Sequence, residues 1–191
     1  MLAAEGRIEG FPPSDCIVLD VETTGVRDDD EILRILAVDG HGRGVMDQLF
    51  RPERHLDWPK AEAINGISPY MVKDAPAFSE IGHLIWRYLG LYGCIIGYGL
   101  GFDIRMLASA GLKISDEWKL VDVRELYAKV AGGGYGPPLA NVAMGYGFKK
   151  VTGRFVKPRM TLFVLENLMY EAEKAGYTLD ELLDYYDSKG S

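Results

Sequence analysis

Asp20 and Glu22 close an apolar run, Cys16-Ile17-Val18-Leu19, and Thr23-Thr24-Gly25 follow directly. The run reads as a buried strand. Side chains alternate along a strand, so the two acids point the same way. Paired carboxylates repel, and burial raises that cost. A positive group between them removes it, most often a hard divalent cation held through oxygens. Gly25 permits a sharp turn and close approach by a ligand. An edge strand with a solvated acidic face would show the same pattern, so the pair alone leaves both readings open.

Asp103 is the next acid in apolar company. It is expected to begin a helix whose apolar positions, Met106, Leu107 and Ala110, lie three, four and seven residues on. Asp103 therefore shares the core-facing stripe. An acid there is an N-terminal cap stabilised by free backbone N–H groups, or it contributes to a metal site. Further on, Lys149, Lys150, Arg154, Lys157 and Arg159 cluster, with no acid between Glu125 and Glu166 and no histidine after His83.

The elements that position these residues can be read coarsely. Cys16–Glu22 is the first strand. Residues 31–38 and 44–50 are strands joined by a hairpin at Asp39-Gly40-His41-Gly42, where Asp-Gly suits positive φ. Residues 79–91 carry a helical stripe with Ser79 as its cap. Cys94–Tyr98 and Leu120–Val123 are further strands. Asp122 is assigned to local hydrogen bonding. Residues 124–130 form a helix and 131–138 a Gly/Pro loop. Pro158 suits the first position of a long helix to Glu173. Thr178 and Glu181 form a capping box for a last helix containing Leu182, Leu183 and Tyr186. Three antiparallel strands followed by helices and parallel strands imply a mixed α/β sheet.

Asp20-Val21-Glu22-Thr23-Thr24-Gly25 resembles the first motif of the proofreading-type (DEDD) 3′→5′ exonucleases. These have a ribonuclease-H-like fold and include the polymerase proofreading subunit and ribonuclease T. Ala63-Ile64-Asn65-Gly66-Ile67-Ser68, with the stretch from Val72 to Phe78, resembles the family segment after its first strands. The stretch from Ile96 to Leu107 resembles the second motif, with Asp103 at its acidic position, and Leu120–Val123 resembles the strand that follows. The order holds over about residues 15–173. The resemblance implies a ribonuclease-H-like sheet flanked by helices, acting on or binding DNA or RNA 3′ ends. It also implies hydrolysis with two Mg²⁺ or Mn²⁺ ions about 4 Å apart. Asp20 would bridge both ions, Glu22 would bind the nucleophile-side ion, and Asp103 would hold a metal-bound water. Nucleic-acid contacts are expected from Thr23, Thr24, Gly25, Phe102, Arg154, Lys157 and Arg159. Phe102 and Tyr98, and with less support Tyr135 and Tyr146, are candidates to stack on bases or to serve the core.

The third motif departs from the family. The family places a histidine about five residues before an aspartate, or a tyrosine about four residues before it, at the start of a late helix. Here residues 152–161 hold neither the acid nor a histidine or tyrosine. One alignment puts Arg154 and Arg159 at the two positions, another Thr152 and Lys157. Glu166 lies about two turns beyond that helix start, roughly 10 Å along the axis. A positioned general base is worth roughly 10²–10⁴ in rate, so hydrolysis is expected to be weak or lost. The basic cluster is a solvated loop, a phosphate grip, or the source of one side chain that replaces the metal by a salt bridge with Asp20, Glu22 or Asp103. The competing functions are a non-catalytic nucleic-acid-binding or protein-interaction module on the same scaffold, and an active nuclease that recruits another residue of its own or one from a partner.

The remaining composition sets limits. The chain has 191 residues, 48% hydrophobic and 26% charged, which suits one soluble domain over 15–191 behind a loose leader, 1–14. Its net charge of −7 argues against a broad basic surface, but not against a local grip on a single strand. Cys16 and Cys94 lie in apolar runs, which fits a reduced cytoplasmic protein. No secretion signal or membrane span is expected. A polymerase, another protein or a second copy as a homodimer all remain open as partners.

Overall fold

The computed structural model describes residues 15–132, 134–149, 152–178 and 181. The leader at 1–14 and the body of the last helix fall outside the described residues, as does Lys150. At the edge of that region, Thr178 and Glu181 exchange the capping-box hydrogen bonds expected of them.

Five strands form one sheet in the order β3-β2-β1-β4-β5. They are β1 (Cys16–Thr23), β2 (Ile32–Asp39), β3 (Gly44–Leu49), β4 (Cys94–Gly97) and β5 (Lys119–Asp122). The β1–β2 and β2–β3 pairs are antiparallel, and the β1–β4 and β4–β5 pairs are parallel. This is the mixed sheet expected from the sequence. Helices flank it: α1 (Pro59–Asn65), α2 (Pro69–Val72), α3 (Phe78–Leu89), α4 (Leu100–Ser109), α5 (Val123–Val130), α6 (Leu139–Gly145) and α7 (Val156–Lys174).

Alternation along β1 divides the core. Ile17, Leu19 and Val21 pack with Ile85 and Leu89 of α3 and Leu100 and Leu107 of α4. Cys16 and Val18 face the other way, against Leu126 of α5, Val142 of α6, and Leu162, Leu165 and Leu168 of α7. Asp20 and Glu22 continue this second face. The α7 start is thus brought over the acids by the same apolar contacts that build the core. Among the described residues, no helix is long and apolar enough to cross a membrane.

Four local expectations are corrected. The positive φ of the hairpin falls at Gly42 (75°) rather than at Gly40, because the Asp39 carboxylate accepts from both His41 N and Arg43 N and sets the turn one step later. Ser79 does not cap α3. The helix starts at Phe78, and the Glu80 carboxylate accepts from Ala77 N at 2.8 Å instead. Asp103 does not begin its helix, since α4 starts at Leu100 behind left-handed Gly99 (φ 76°). Pro158 is the third residue of α7, not the first. Its missing N–H costs nothing there, because the first helical N–H groups have no partner within the helix. Helices α1, α2 and α6 were not anticipated. α1 buries none of its residues, so it shows no apolar stripe to read.

Candidate functional site

The carboxyl ends of β1, β4 and β5 open into a cleft of about 910 Å³. Its floor holds Asp20, Glu22 and Asp103, and its walls include Thr23–Arg27, part of α1, Tyr98, Phe102, Arg124 and Tyr135. In parallel sheets this end of the strands is where ligands bind.

Each floor residue is placed by a definite local cause. The β1–β4 register ends at Val18–Ile96, so the β4-facing side of β1 is uncovered beyond that point. The first turn of α4 fills the space, and Asp103 Oδ1 accepts from Val21 N at 3.1 Å. Asp103 is only 7% exposed. Burial, then the nearby Asp20 charge, pushes its carboxyl well above the ordinary value. Asp122 does what was expected of it, accepting from Gly99 N (2.7 Å) and Arg124 N (2.9 Å) and so tying the starts of α4 and α5 together.

Lys157 stands among the acids. Its Nζ lies 2.5 Å from Glu22 Oε1 and 3.6 Å from Asp20 Oδ2. Burial alone would lower the lysine pKa, but the charges of Asp20 and Glu22 outweigh it and raise the value. Asp20 is pushed up to about 6. Burial is the main cause, opposed by Lys157 and reinforced by Glu22. Asp20 Oδ2 is buried and has no hydrogen-bond partner, and its compensation is the ammonium at 3.6 Å.

The α7 start is pinned on both sides of Lys157. Arg154 pairs with Asp47 of β3 at 3.2 Å, Arg159 Nε donates to Gly42 O at 3.0 Å, and Phe155 lies against Gly44. The structure therefore brings Lys157 to the acids and places Arg154 and Arg159 on the β2–β3 hairpin, outside the cleft lining.

Thr23 and Thr24 shape the adjoining loop. Thr24 Oγ1 donates to Asp30 Oδ1 (2.9 Å) and accepts from Glu31 N (2.9 Å). Asn65 Nδ2 donates to Thr23 O at 3.1 Å, which ties α1 to the cleft. Gly25 is required sterically, because a Cβ there would sit 2.4 Å from Asp30 Oδ2. Gly25→Ala is expected to destabilise the fold by about 1–3 kcal/mol through overpacking. Gly101→Ala, inside α4 and with a methyl that would meet nothing within 4 Å, is the control that should melt no lower than the wild type. Thermal melts of both variants check this.

Several cleft residues were not singled out from the sequence as site residues: Lys60, Ile64, Asn65 and Arg124. Ile64 is 84% exposed at the rim. The Asn65-Gly66-Ile67 segment carried a signal, since it belongs to the resemblance. Tyr98 and Phe102 line the cleft as expected, whereas Tyr146 is directed elsewhere, donating to Glu171 at 2.5 Å.

The acids are hard oxygen donors of the type that Mg²⁺ and Mn²⁺ prefer. Their arrangement nevertheless does not fit a paired-ion centre. A cationic side chain stands between two of them. Among the described residues, no three His, Cys, Asp or Glu side chains surround a point that an ion could take.

The sequence profile of the exonuclease family RNase T matches residues 17–153, nearly three quarters of the chain. This chain belongs to the RNase T exonuclease family. The match stops before α7. Over 101 residues the chain is 34% identical to an uncharacterized exonuclease of Escherichia phage 186, covering 53% of this chain and 51% of that protein. The chain thus spans about half the length of the curated relative it matches. Among solved structures, exonuclease X in complex with 5′-overhanging duplex DNA superposes with a TM-score of 0.65 at 22% identity, over 88% of this chain and 98% of that one. Exonuclease I from Methylocaldum szegediense gives 0.65 at 16% identity, over 89% of this chain and 42% of that one. At these identities the likeness is one of fold, and it is the ribonuclease-H-like fold expected from the sequence.

Proposed function

We propose that this member of the exonuclease family binds the 3′ end of a single nucleic-acid strand in its cleft and that Lys157 suppresses two-ion hydrolysis there. One observation carries the reading: the Lys157 ammonium lies 2.5 Å from Glu22 and 3.6 Å from Asp20. Three ionised carboxylates would repel a phosphate, and a divalent ion would have to mediate its approach. Here an internal cation takes part of that role. The Lys157 ammonium offsets part of the negative charge that Asp20, Glu22 and Asp103 bring to the floor, and burial, which raises the Asp103 pKa, lowers that charge further. A phosphate can then approach without an external ion. The likeness in fold to exonuclease X, which was solved with overhanging DNA, supports nucleic acid as the ligand.

The test incubates labelled single-stranded DNA and RNA with the protein, in Mg²⁺ or Mn²⁺ and separately in EDTA. The expected result is binding that EDTA leaves intact, with no degradation by either the wild type or Asp20→Ala. Degradation by the wild type that disappears in Asp20→Ala would show a working hydrolytic site and overturn the suppression. Failure to bind either nucleic acid would overturn the ligand and point to a protein partner.

A further inference from the structure

On the β5 side of the cleft, Arg124 and Tyr135 form a unit that the floor chemistry does not use. The Arg124 guanidinium carbon lies 3.6 Å from the centre of the Tyr135 ring, and Nη1 donates to Tyr135 Oη at 2.7 Å. Nε donates to Gly136 O at 2.6 Å. Tyr98 Oη donates to the next carbonyl, Pro137 O. Gly136 packs so closely that a Cβ would lie 2.7 Å from Arg124 O. The loop after α5 is thus held to the cleft wall at three consecutive positions. Despite that anchoring it leaves Tyr135 77% exposed.

A large aromatic ring fixed in this way is not explained by packing. One side of the ring rests on the guanidinium, and most of its surface stays in water. An exposed cation–π pair contributes little to stability. The ring has lost its freedom before any ligand arrives, so a base stacking on it sacrifices little further conformational entropy. A guanidinium has five N–H donors. Two are engaged here, with Tyr135 and Gly136, which leaves donors suited to a phosphate oxygen.

We infer that Arg124 and Tyr135 form a second nucleotide subsite, which stacks an unpaired base on Tyr135 and grips its phosphate with Arg124, beside the terminal nucleotide at Lys157. The inference rests on the proposed binding of single-strand 3′ ends and adds the requirement that the nucleotide next to the end be unpaired as well. A base already paired in a duplex cannot present its face to the ring.

Fluorescence anisotropy with a short 5′-labelled oligothymidylate in EDTA tests it, using the full chain. Tyr135→Ala is expected to weaken binding by about tenfold or more, and Tyr135→Phe, which keeps the ring, to recover most of that loss. An oligonucleotide with one abasic position next to its 3′ nucleotide should bind the wild type as weakly as the intact one binds Tyr135→Ala. Combining the abasic probe with Tyr135→Ala should weaken binding no further. A wild type that binds the oligonucleotide while Tyr135→Ala binds it equally well would overturn the subsite and leave the proposed function standing. A wild type that binds no oligonucleotide would overturn both. Tyr135 is largely exposed, so its variants are expected to melt like the wild type. A melt below the wild type would assign the ring a structural role and count against the subsite.

Discussion

Lys157→Asp is expected to create divalent-ion binding in a cleft from which, on the proposed reading, Lys157 excludes it. In the wild type, calorimetry with Mn²⁺ should show no stoichiometric heat, because the Lys157 ammonium already occupies the space between the acids, 2.5 Å from Glu22 and 3.6 Å from Asp20. Replacing it by a carboxylate adds a fourth hard oxygen donor and removes the competing charge. Binding alone is not expected to give fast hydrolysis, because among the described residues the cleft lining holds no histidine to deprotonate water. In the alignment that puts Lys157 at the missing acid, Thr152 stands five residues earlier, at the position of the family's histidine. The double variant Thr152→His/Lys157→Asp is therefore expected to degrade single strands roughly 10²–10⁴ faster than Lys157→Asp alone. Tight Mn²⁺ binding by the wild type would contradict this account directly. Lys157→Met serves as the control. It removes the cation without supplying a ligand and leaves two carboxylates facing each other. Breaking a fully buried pair costs about 3–5 kcal/mol. Lys157 is 44% exposed, so solvent screening reduces that to roughly 1–2 kcal/mol.

The parts of this site that were legible in the sequence are those set by local periodicity. The two-residue repeat of a strand put Asp20 and Glu22 on one face without knowledge of anything else in the fold. The helical stripe through Met106 and Leu107 put Asp103 on the core side. The absence of any acid between Glu125 and Glu166 was also legible, since no alignment can supply a residue type that a segment lacks. Which base would take the missing acid's place was not. That choice depends on where α7 begins and on what holds it. Arg154 is captured by Asp47, and Arg159 by the Gly42 carbonyl, both more than a hundred residues away in sequence. Such pairings leave no periodic trace. The α1 wall was hidden for a related reason. A helix that buries none of its side chains carries no amphipathic signal, although Asn65 anchors it to Thr23. The Arg124–Tyr135 unit depends on a Gly-rich loop folding back after α5 ends at Val130, so no helical or strand period connects the two residues.

The carboxyls of the floor also set how stability depends on pH. The Asp20 carboxyl rises from its ordinary value of 3.8 to about 6, and the Asp103 carboxyl is raised as well. Between 3.8 and 6 the folded state holds a proton on Asp20 that the unfolded chain has released. Lowering the pH through that window therefore stabilises the fold, and raising it above 6 leaves the full penalty in place. The penalty is on the order of 2–3 kcal/mol for Asp20. The charged groups facing Asp20 are Glu22, Asp103 and Lys157. The raised lysine stays protonated throughout this range, so it adds no slope. Other carboxylates act in the opposite direction at lower pH. Glu31 and Asp39 are partly buried, which raises their pKa values, but N–H donors from Glu53 and Arg43 outweigh burial and hold both below the ordinary range. Their stabilisation is present at neutral pH and is lost only as the pH falls below about 4. The melting temperature is accordingly expected to rise from pH 7 towards pH 5 and then to fall. Asp20→Asn should raise it at pH 7 and flatten the slope between pH 7 and 5. If the wild type and Asp20→Asn keep parallel profiles across that interval, the ammonium compensates Asp20 fully. The charge balance assigned to the cleft floor would then be wrong.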